Sequence, residues 1–242
     1  MCKSAINVPG DVTAVHEDAP GTPVTVGRKV LDKNAQLGEA NRRWLAGRGV
    51  LALNLLSSPG AGKTTLLERT IADLRRELAL SVLEGDQETD CDARRIQAAG
   101  GHALQLNTGT GCHLNAAMVA RGLTELDPSP NSVVFIENVG NLVCPAYFDL
   151  GERAKVVICS VPEGDDKPLK YPHMFRAGNL LLLNKIDLLR HVPFDIDRFR
   201  ENARLVNPGL HIMPVCALHG DGLRAWYDWV REQAGRRPPT GS

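Results

Sequence analysis

Strand-like apolar runs recur along the chain near Val50–Leu56, Ser81–Glu84, Ala103–Leu106, Val133–Ile136, Lys155–Val161, Leu180–Leu183 and His211–Val215. Val133-Val134-Phe135-Ile136 and Leu180-Leu181-Leu182-Leu183 are apolar at every position, the pattern of strands buried on both faces. Helical spacing fills most of the intervals, over Thr64–Leu78, Asp92–Ala99, Leu114–Leu123, Leu169–Arg176, Phe194–Leu205 and Leu223–Gln233. This alternation predicts an α/β fold, three layers α/β/α around a mostly parallel central sheet. Ahead of the first strand, Val30, Leu31, Leu37, Trp44 and Leu45 fall at helical spacing among charged residues between Val26 and Gly47, which predicts a surface helix laid against the domain. Residues 1–25 carry Pro9, Gly10, Pro20, Gly21 and Pro23 without periodicity and are expected to be a flexible leader. Residues 26–235 form one expected domain, and 236–242 a short tail.

In such a sheet, ligands bind outside the carboxyl ends of the strands, so the residues after each run carry the functional information. After Val50–Leu56 comes Ser57-Ser58-Pro59-Gly60-Ala61-Gly62-Lys63-Thr64, opening into a helical pattern at Thr65. A strand, a Gly-rich bend and a helix beginning at Lys-Thr are the context of a P-loop, here with Ser57 where the first Gly usually stands. Gly60 and Gly62 let backbone N–H groups turn inward, and the helix N-terminus adds partial positive charge. The candidate phosphate-binding set is Gly60, Ala61, Gly62, Lys63, Thr64 and Thr65. Lys63 reaches the β- and γ-phosphates, and the Thr64 hydroxyl is placed to ligate Mg²⁺.

Asn184-Lys185-Ile186-Asp187 directly follows Leu180–Leu183. A carboxylate at Asp187 can accept two hydrogen bonds from the N1–H and 2-amino group of guanine. Adenine offers neither donor, so the pattern selects GTP over ATP. Asn184 is expected to brace the loop and meet the base edge, and Lys185 to lie along the ring. Ala217, within Val215-Cys216-Ala217-Leu218, is a candidate backbone N–H donor to the base. On the phosphate side, Asp86 in Glu84-Gly85-Asp86 follows the second strand and Glu137 follows Val133–Ile136; both are candidate Mg²⁺ groups beside Thr64. Gly140 is a candidate γ-phosphate sensor, and Asp90 or Asp92 a candidate for orienting the attacking water. Lys63, Asp86, Asp90, Asp92 and Glu137 are thus the candidate catalytic groups. No Gln stands where a Ras-type GTPase positions its water, so slow intrinsic turnover is expected.

The 28 basic and 28 acidic residues balance, so no global field draws the protein to nucleic acid or a membrane. No apolar run approaches the roughly 20 residues that span a bilayer, and no signal-peptide core is evident, so the cytoplasm is expected. The six cysteines contain no Cys-x-x-Cys pair, and Cys159 lies inside an apolar run as core. Cys112-His113, with Cys144 further on, is different. Thiolates and an imidazole suit Zn²⁺ or Ni²⁺, although lone buried thiols are also common as packing. With three candidate ligands per chain, the coordination leaves room for water or for a second copy.

Together the pieces resemble the HypB-type hydrogenase maturation GTPases, of the SIMIBI-class P-loop branch that works as nucleotide-dependent dimers. The likeness rests on Ser57–Thr64, Glu84-Gly85-Asp86, Thr108–His113, the run from Phe135 to Pro145, and Asn184–Asp187. The related urease accessory GTPases carry a Cys-Pro-His motif instead. The resemblance implies a GTP-hydrolysing metallochaperone that helps insert nickel into [NiFe] hydrogenase. Cys112, His113 and Cys144 would hold Ni²⁺ or Zn²⁺ at the interface of a homodimer favoured by GTP and metal. The implied partners are a nickel-binding hydrogenase accessory protein and the hydrogenase large subunit. Some relatives carry an N-terminal Cys-rich motif or His-rich tract; here only Cys2 and His16 stand there, so no leader metal site and no nickel storage are expected. A urease-type nickel accessory GTPase, a P-loop small-molecule kinase, and a zinc-containing binding module with negligible turnover are the rival readings.

Overall fold

The computed structural model describes residues 23–86, 91–109 and 111–235. Its elements run α1 (Pro23–Gly47), β1 (Leu51–Ser57), α2 (Lys63–Leu74), β2 (Leu80–Asp86), α3 (Cys91–Ala98), β3 (His102–Asn107), α4 (Ala116–Leu126), β4 (Val133–Glu137) and α5 (Cys144–Tyr147), followed by β5 (Ala154–Ser160), α6 (Lys167–Lys170), α7 (Pro172–Ala177), β6 (Leu180–Asn184), α8 (Ile196–Val206), β7 (His211–Pro214) and α9 (Leu223–Gln233). The seven strands form one sheet in the order β3-β2-β4-β1-β5-β6-β7, every neighbouring pair parallel. The sheet is therefore wholly parallel, where the sequence predicts it mostly so.

The uninterrupted apolar strands are buried on both sides, and successive residues feed different layers. Leu53 and Leu55 of β1, Val133 and Phe135 of β4, and Leu180 and Leu182 of β6 pack under α2, α3 and α9. On the opposite face Val134 and Ile136 meet α4 and Leu45 of α1, while Val157, Leu181 and Leu183 meet α7 and α8. Trp226 of α9, fully buried, stacks near Trp229 and donates its indole N–H to Thr70 Oγ1 of α2 at 2.9 Å. Trp226→Phe removes that bond and part of the ring, and is expected to cost about 1–2 kcal/mol of unfolding free energy in urea titrations.

Three local expectations are corrected. The helix predicted over Leu169–Arg176 is two short helices, because Tyr171 precedes Pro172 and takes φ −128°, ψ 55°, outside the helical region. Glu84-Gly85-Asp86 does not follow β2 but forms its last three positions, paired with Gln105, Leu106 and Asn107 of β3. Helix α1 begins at Pro23, inside the stretch expected to be leader; residues 1–22 and 236–242 lie outside the described residues. No described helix is long and apolar enough to cross a membrane.

Candidate nucleotide and metal sites

β1 lies at the middle of the sheet, and the loop after it turns into α2 at Lys63. Gly62 occupies the N-cap with φ 95° and offers no side chain, which leaves the first-turn N–H groups of α2 directed at the loop's concavity. A Cβ at Gly62 would collide with the Asn184 amide. Asn184 Nδ2 donates to Ala61 O at 2.9 Å, its Oδ1 accepts from Ala217 N at 3.0 Å, and Lys185 Nζ donates to Gly60 O at 2.7 Å. Asn184 is therefore spent on tying the phosphate loop to the Ala217 loop, and the Ala217 N–H, expected to meet the base, is instead taken by Asn184 Oδ1. On the other flank, Ser58 donates to Glu163, which also accepts from Ser160 N at 2.7 Å and pairs with Lys167 at 3.0 Å. Thr65, the third residue of α2, accepts from Arg95 at 3.4 Å.

Asp187 stands in the first turn of a 3₁₀ segment, Ile186–Arg190, whose cap position is Lys185 at φ 61°. The Cys216 thiol donates to Asp187 Oδ1 at 3.0 Å, and this bond holds the carboxyl below its ordinary value, so Asp187 is ionised at neutral pH and available as an acceptor. It borders a surface cavity of about 430 Å³ that His219 and Asp221 also line.

At the end of β4, Glu137 Oε1 accepts from Lys63 Nζ at 2.8 Å and from Thr64 Oγ1 at 2.9 Å. Its Cα partner on β2 is Glu84. Both side chains are buried, and among the described residues neither Glu84 Oε2 nor Glu137 Oε2 has a hydrogen-bond partner. Burial, reinforced by Glu137, Asp86 and Asp92 and partly offset by Lys63, pushes Glu84 up to about 8. Asp86, half-buried, ends β2, and its carbonyl accepts from Thr108 N at 3.0 Å. Asp92 sits in the first turn of α3, paired with Arg95 at 3.1 Å, and Asp90 lies outside the described residues. Gly140 rests on the phosphate loop: a Cβ there would come within 3.1 Å of Pro59.

The ligand atoms of Cys112, His113 and Cys144 lie within 4.8 Å of one another, all three residues half-buried. Cys112 Sγ is 3.6 Å from His113 Nδ1, and the His113 ring packs on Phe148 with centroids 4.0 Å apart. Burial lowers the His113 pKa and, together with the neighbouring Cys112 thiol, raises that of Cys144. At neutral pH the imidazole is thus a neutral donor and the Cys144 thiol holds its proton. Asn138, the residue after Glu137, accepts from Leu114 N at 3.0 Å, and Asn141 donates to Cys112 O at 3.3 Å. One segment, Glu137 to Cys144, therefore carries a carboxylate bonded to Lys63 and Thr64, a glycine against the phosphate loop, and a thiol of the cluster. Cys112, Cys144, Cys159 and Cys216 are all free thiols.

Glu84, Asn138 and Glu163 join the site although the sequence pattern does not single them out. Glu84 has a legible signal, a carboxylate directly after the apolar Val82-Leu83 of its strand. Glu163 stands at the Ser-x-x-Glu spacing of a capping box with Ser160, but its bond from Ser58 and the contacts of Asn138 carry no local signal, because those partners are distant in sequence.

Residues 51–214 match the family model described as "CobW/HypB/UreG, nucleotide-binding domain". The hydrogenase maturation factor HypB of Rhizobium leguminosarum bv. viciae is 53% identical over 214 residues, covering 88% of this chain and 72% of that protein. Among solved structures, HypB from Archaeoglobus fulgidus superposes with a TM-score of 0.78 at 37% identity, covering 84% of this chain and 99% of that one. HypB from Helicobacter pylori, solved in complex with nickel, gives a TM-score of 0.78 at 33% identity over 87% of this chain and 100% of that one. With its nucleotide-binding domain matched by the family model and its chain similar to these relatives over most of their length, the protein belongs to the HypB family of hydrogenase maturation factors.

Proposed function

We propose that this protein is a GTP-hydrolysing metallochaperone that passes Ni²⁺ toward [NiFe] hydrogenase, using nucleotide state to govern its metal centre. The observation that carries the reading is the Glu137–Cys144 segment, in which a carboxylate bonded to Lys63 and Thr64 and a soft metal ligand share a few residues of backbone. Gly60 to Thr65 would cradle the phosphates, Asp187 would read guanine, and Lys185 and Ala217 would line the base site. The orphaned Glu84 and Glu137 oxygens beside the Thr64 hydroxyl fit a hard divalent cation, with Asp86 within the same cluster of charge. Mg²⁺, once bound there, would neutralise charge on the β- and γ-phosphates. Asp90 or Asp92 would orient the water, and Gly140 would report the γ-phosphate to Cys144.

Cys112, His113 and Cys144 supply three ligands for Ni²⁺ or Zn²⁺, and we place a second copy of the chain or a water at the remaining position. The nickel complex of the H. pylori relative supports Ni²⁺ as cargo. A nickel-binding accessory protein and the hydrogenase large subunit would be the donor and acceptor partners, and the cytoplasm the working compartment. The test is mass in solution with GDP or a non-hydrolysable GTP analogue, each with and without nickel. The GTP analogue with nickel is expected to give the dimer, and Cys112→Ala to remove the nickel dependence while sparing nucleotide binding. A dimer indifferent to nickel in the unmodified chain contradicts the reading.

The pH dependence has a definite sign. The metal displaces thiol protons, and the raised Cys144 pKa means that its proton is still held at pH 7. Nickel affinity is therefore expected to strengthen between pH 6.5 and 8, by about tenfold per pH unit for each proton released. The lowered pKa of His113 removes the imidazole from that slope. Calorimetry in buffers of different ionisation enthalpy counts the protons; a flat profile above pH 6.5 would mean that the cysteines are not ligands.

A further inference from the structure

The cysteine-bearing segments, 112–116 and 144–150, are linked on the inner side through residues just ahead of the second: Asn138 accepts from Leu114 N and Asn141 donates to Cys112 O. Their outer ends are joined by a different element, helix α1. Asn34, Gly38, Asn41 and Leu45 are its buried positions among the described side chains and lie on one helical face. Asn34 Oδ1 accepts from Ala116 N at 2.8 Å while its Nδ2 donates to Asp149 O at 2.7 Å. Asn41 Nδ2 donates to Ala116 O at 2.9 Å and to Leu150 O at 3.0 Å. Each asparagine thus touches both segments, and between them they engage both backbone groups of Ala116. Close approach is required for this: a Cβ on Gly38 would stand 2.8 Å from Asp149 O. Arg42 completes the contact with two 2.8 Å bonds to the Asp149 carboxylate.

Ala116 lies just beyond His113, and Asp149 follows Phe148, whose ring packs on the His113 imidazole. A shift of either segment against the other changes the distances among the three ligand atoms. Buried amide bonds of this kind are costly to break, because each partner is left without water to replace it. Groups that orient metal ligands from behind change metal affinity without touching the metal.

We propose that α1 is the positioning element of the metal centre: Asn34, Asn41 and Arg42 clamp the two segments at the separation where Cys112, His113 and Cys144 converge. The inference rests on reading those three residues as metal ligands. No side-chain hydrogen bond of α1 runs to Lys63, Thr64, Glu137 or Asp187 among the described residues, so nucleotide binding is left alone.

The test uses the full chain titrated with Ni²⁺, with Co²⁺ as a spectroscopic probe of thiolate ligation. In the Asn34→Ala/Asn41→Ala double variant, the Ni²⁺ Kd is expected to rise about 10–100-fold and the cobalt–thiolate band to weaken or shift. GDP affinity is expected to stay within about twofold, because its contacts lie on other elements. Arg42→Ala, a half-exposed change that leaves the buried bonds in place, is expected to weaken Ni²⁺ several-fold and decides the matter if the double variant does not fold. Unaltered Ni²⁺ affinity and cobalt spectrum in folded variants overturn the proposal. So does a parallel loss of GDP affinity, which would mark general loosening. Absence of any thiolate band in the unmodified chain overturns the metal-centre reading instead, a distinct result.

Discussion

Glu137→Gln is expected to lower GTP turnover by about 10²–10³-fold while changing GDP affinity only a few-fold. Glu137 Oε1 receives both the Lys63 ammonium and the Thr64 hydroxyl, and its other oxygen is buried beside Glu84 without a partner among the described residues. Glutamine preserves the volume and one acceptor, so Lys63 and Thr64 keep their positions. It removes the charge and puts an amide N–H₂ where a cation would need an oxygen. The loss should therefore fall on the Mg²⁺-dependent step rather than on binding. Single-turnover phosphate release across a Mg²⁺ titration separates the two. Near-normal turnover would reduce Glu137 to a scaffold for the P-loop lysine. A raised Mg²⁺ requirement with a reduced plateau is the expected pattern.

The second large effect is on nucleotide choice. Asp187→Ala is expected to raise the GDP Kd by about 10²–10⁴-fold, since the two charge-assisted hydrogen bonds proposed for it, about 1.5–3 kcal/mol each, would be lost. Inosine diphosphate lacks the 2-amino group and forms only one of them, so the unmodified protein should bind it more weakly than GDP. In Asp187→Ala the two nucleotides should bind alike, because the group that distinguishes them is gone. Calorimetric titration of both nucleotides against both proteins closes the cycle. A preference for GDP that survives the substitution would place the guanine reader elsewhere. The Cys216 thiol, which donates to Asp187 Oδ1 and so fixes its orientation, offers a milder probe: Cys216→Ala should weaken GDP by less than Asp187→Ala does.

Much of the nucleotide site is legible in the amino-acid sequence. Lys63 and Thr64 follow a strand and a glycine, and strand–loop–helix chemistry is local, so their convergence with the phosphate loop follows from chain order alone. The same holds for Asp187, one turn beyond a buried strand. Glu84 is harder to place, because the apolar pattern of β2 stops there while the strand itself continues, β3 supplying partners through Asn107. Its pairing opposite Glu137 then creates two buried carboxylates side by side, which no one-dimensional pattern reveals. The helix expected over Leu169–Arg176 breaks for a local and visible reason, the proline at 172.

By itself the sequence determined the layers and the chemistry at the strand ends: apolar runs can be buried only between helices, and glycine, lysine and carboxylate have local geometric uses. The strand order, the meeting of Glu84 with Glu137, and the gathering of Cys112, His113 and Cys144 were decided only by the tertiary structure. So was the role of α1, whose Asn34 and Asn41 look like surface polar residues until their partners at Ala116, Asp149 and Leu150 are seen. The physical reason is the range of the interaction. Periodicity and turn chemistry act between residues a few positions apart, whereas a buried amide must find its partners wherever packing brings them, as Asn34 does at residue 149.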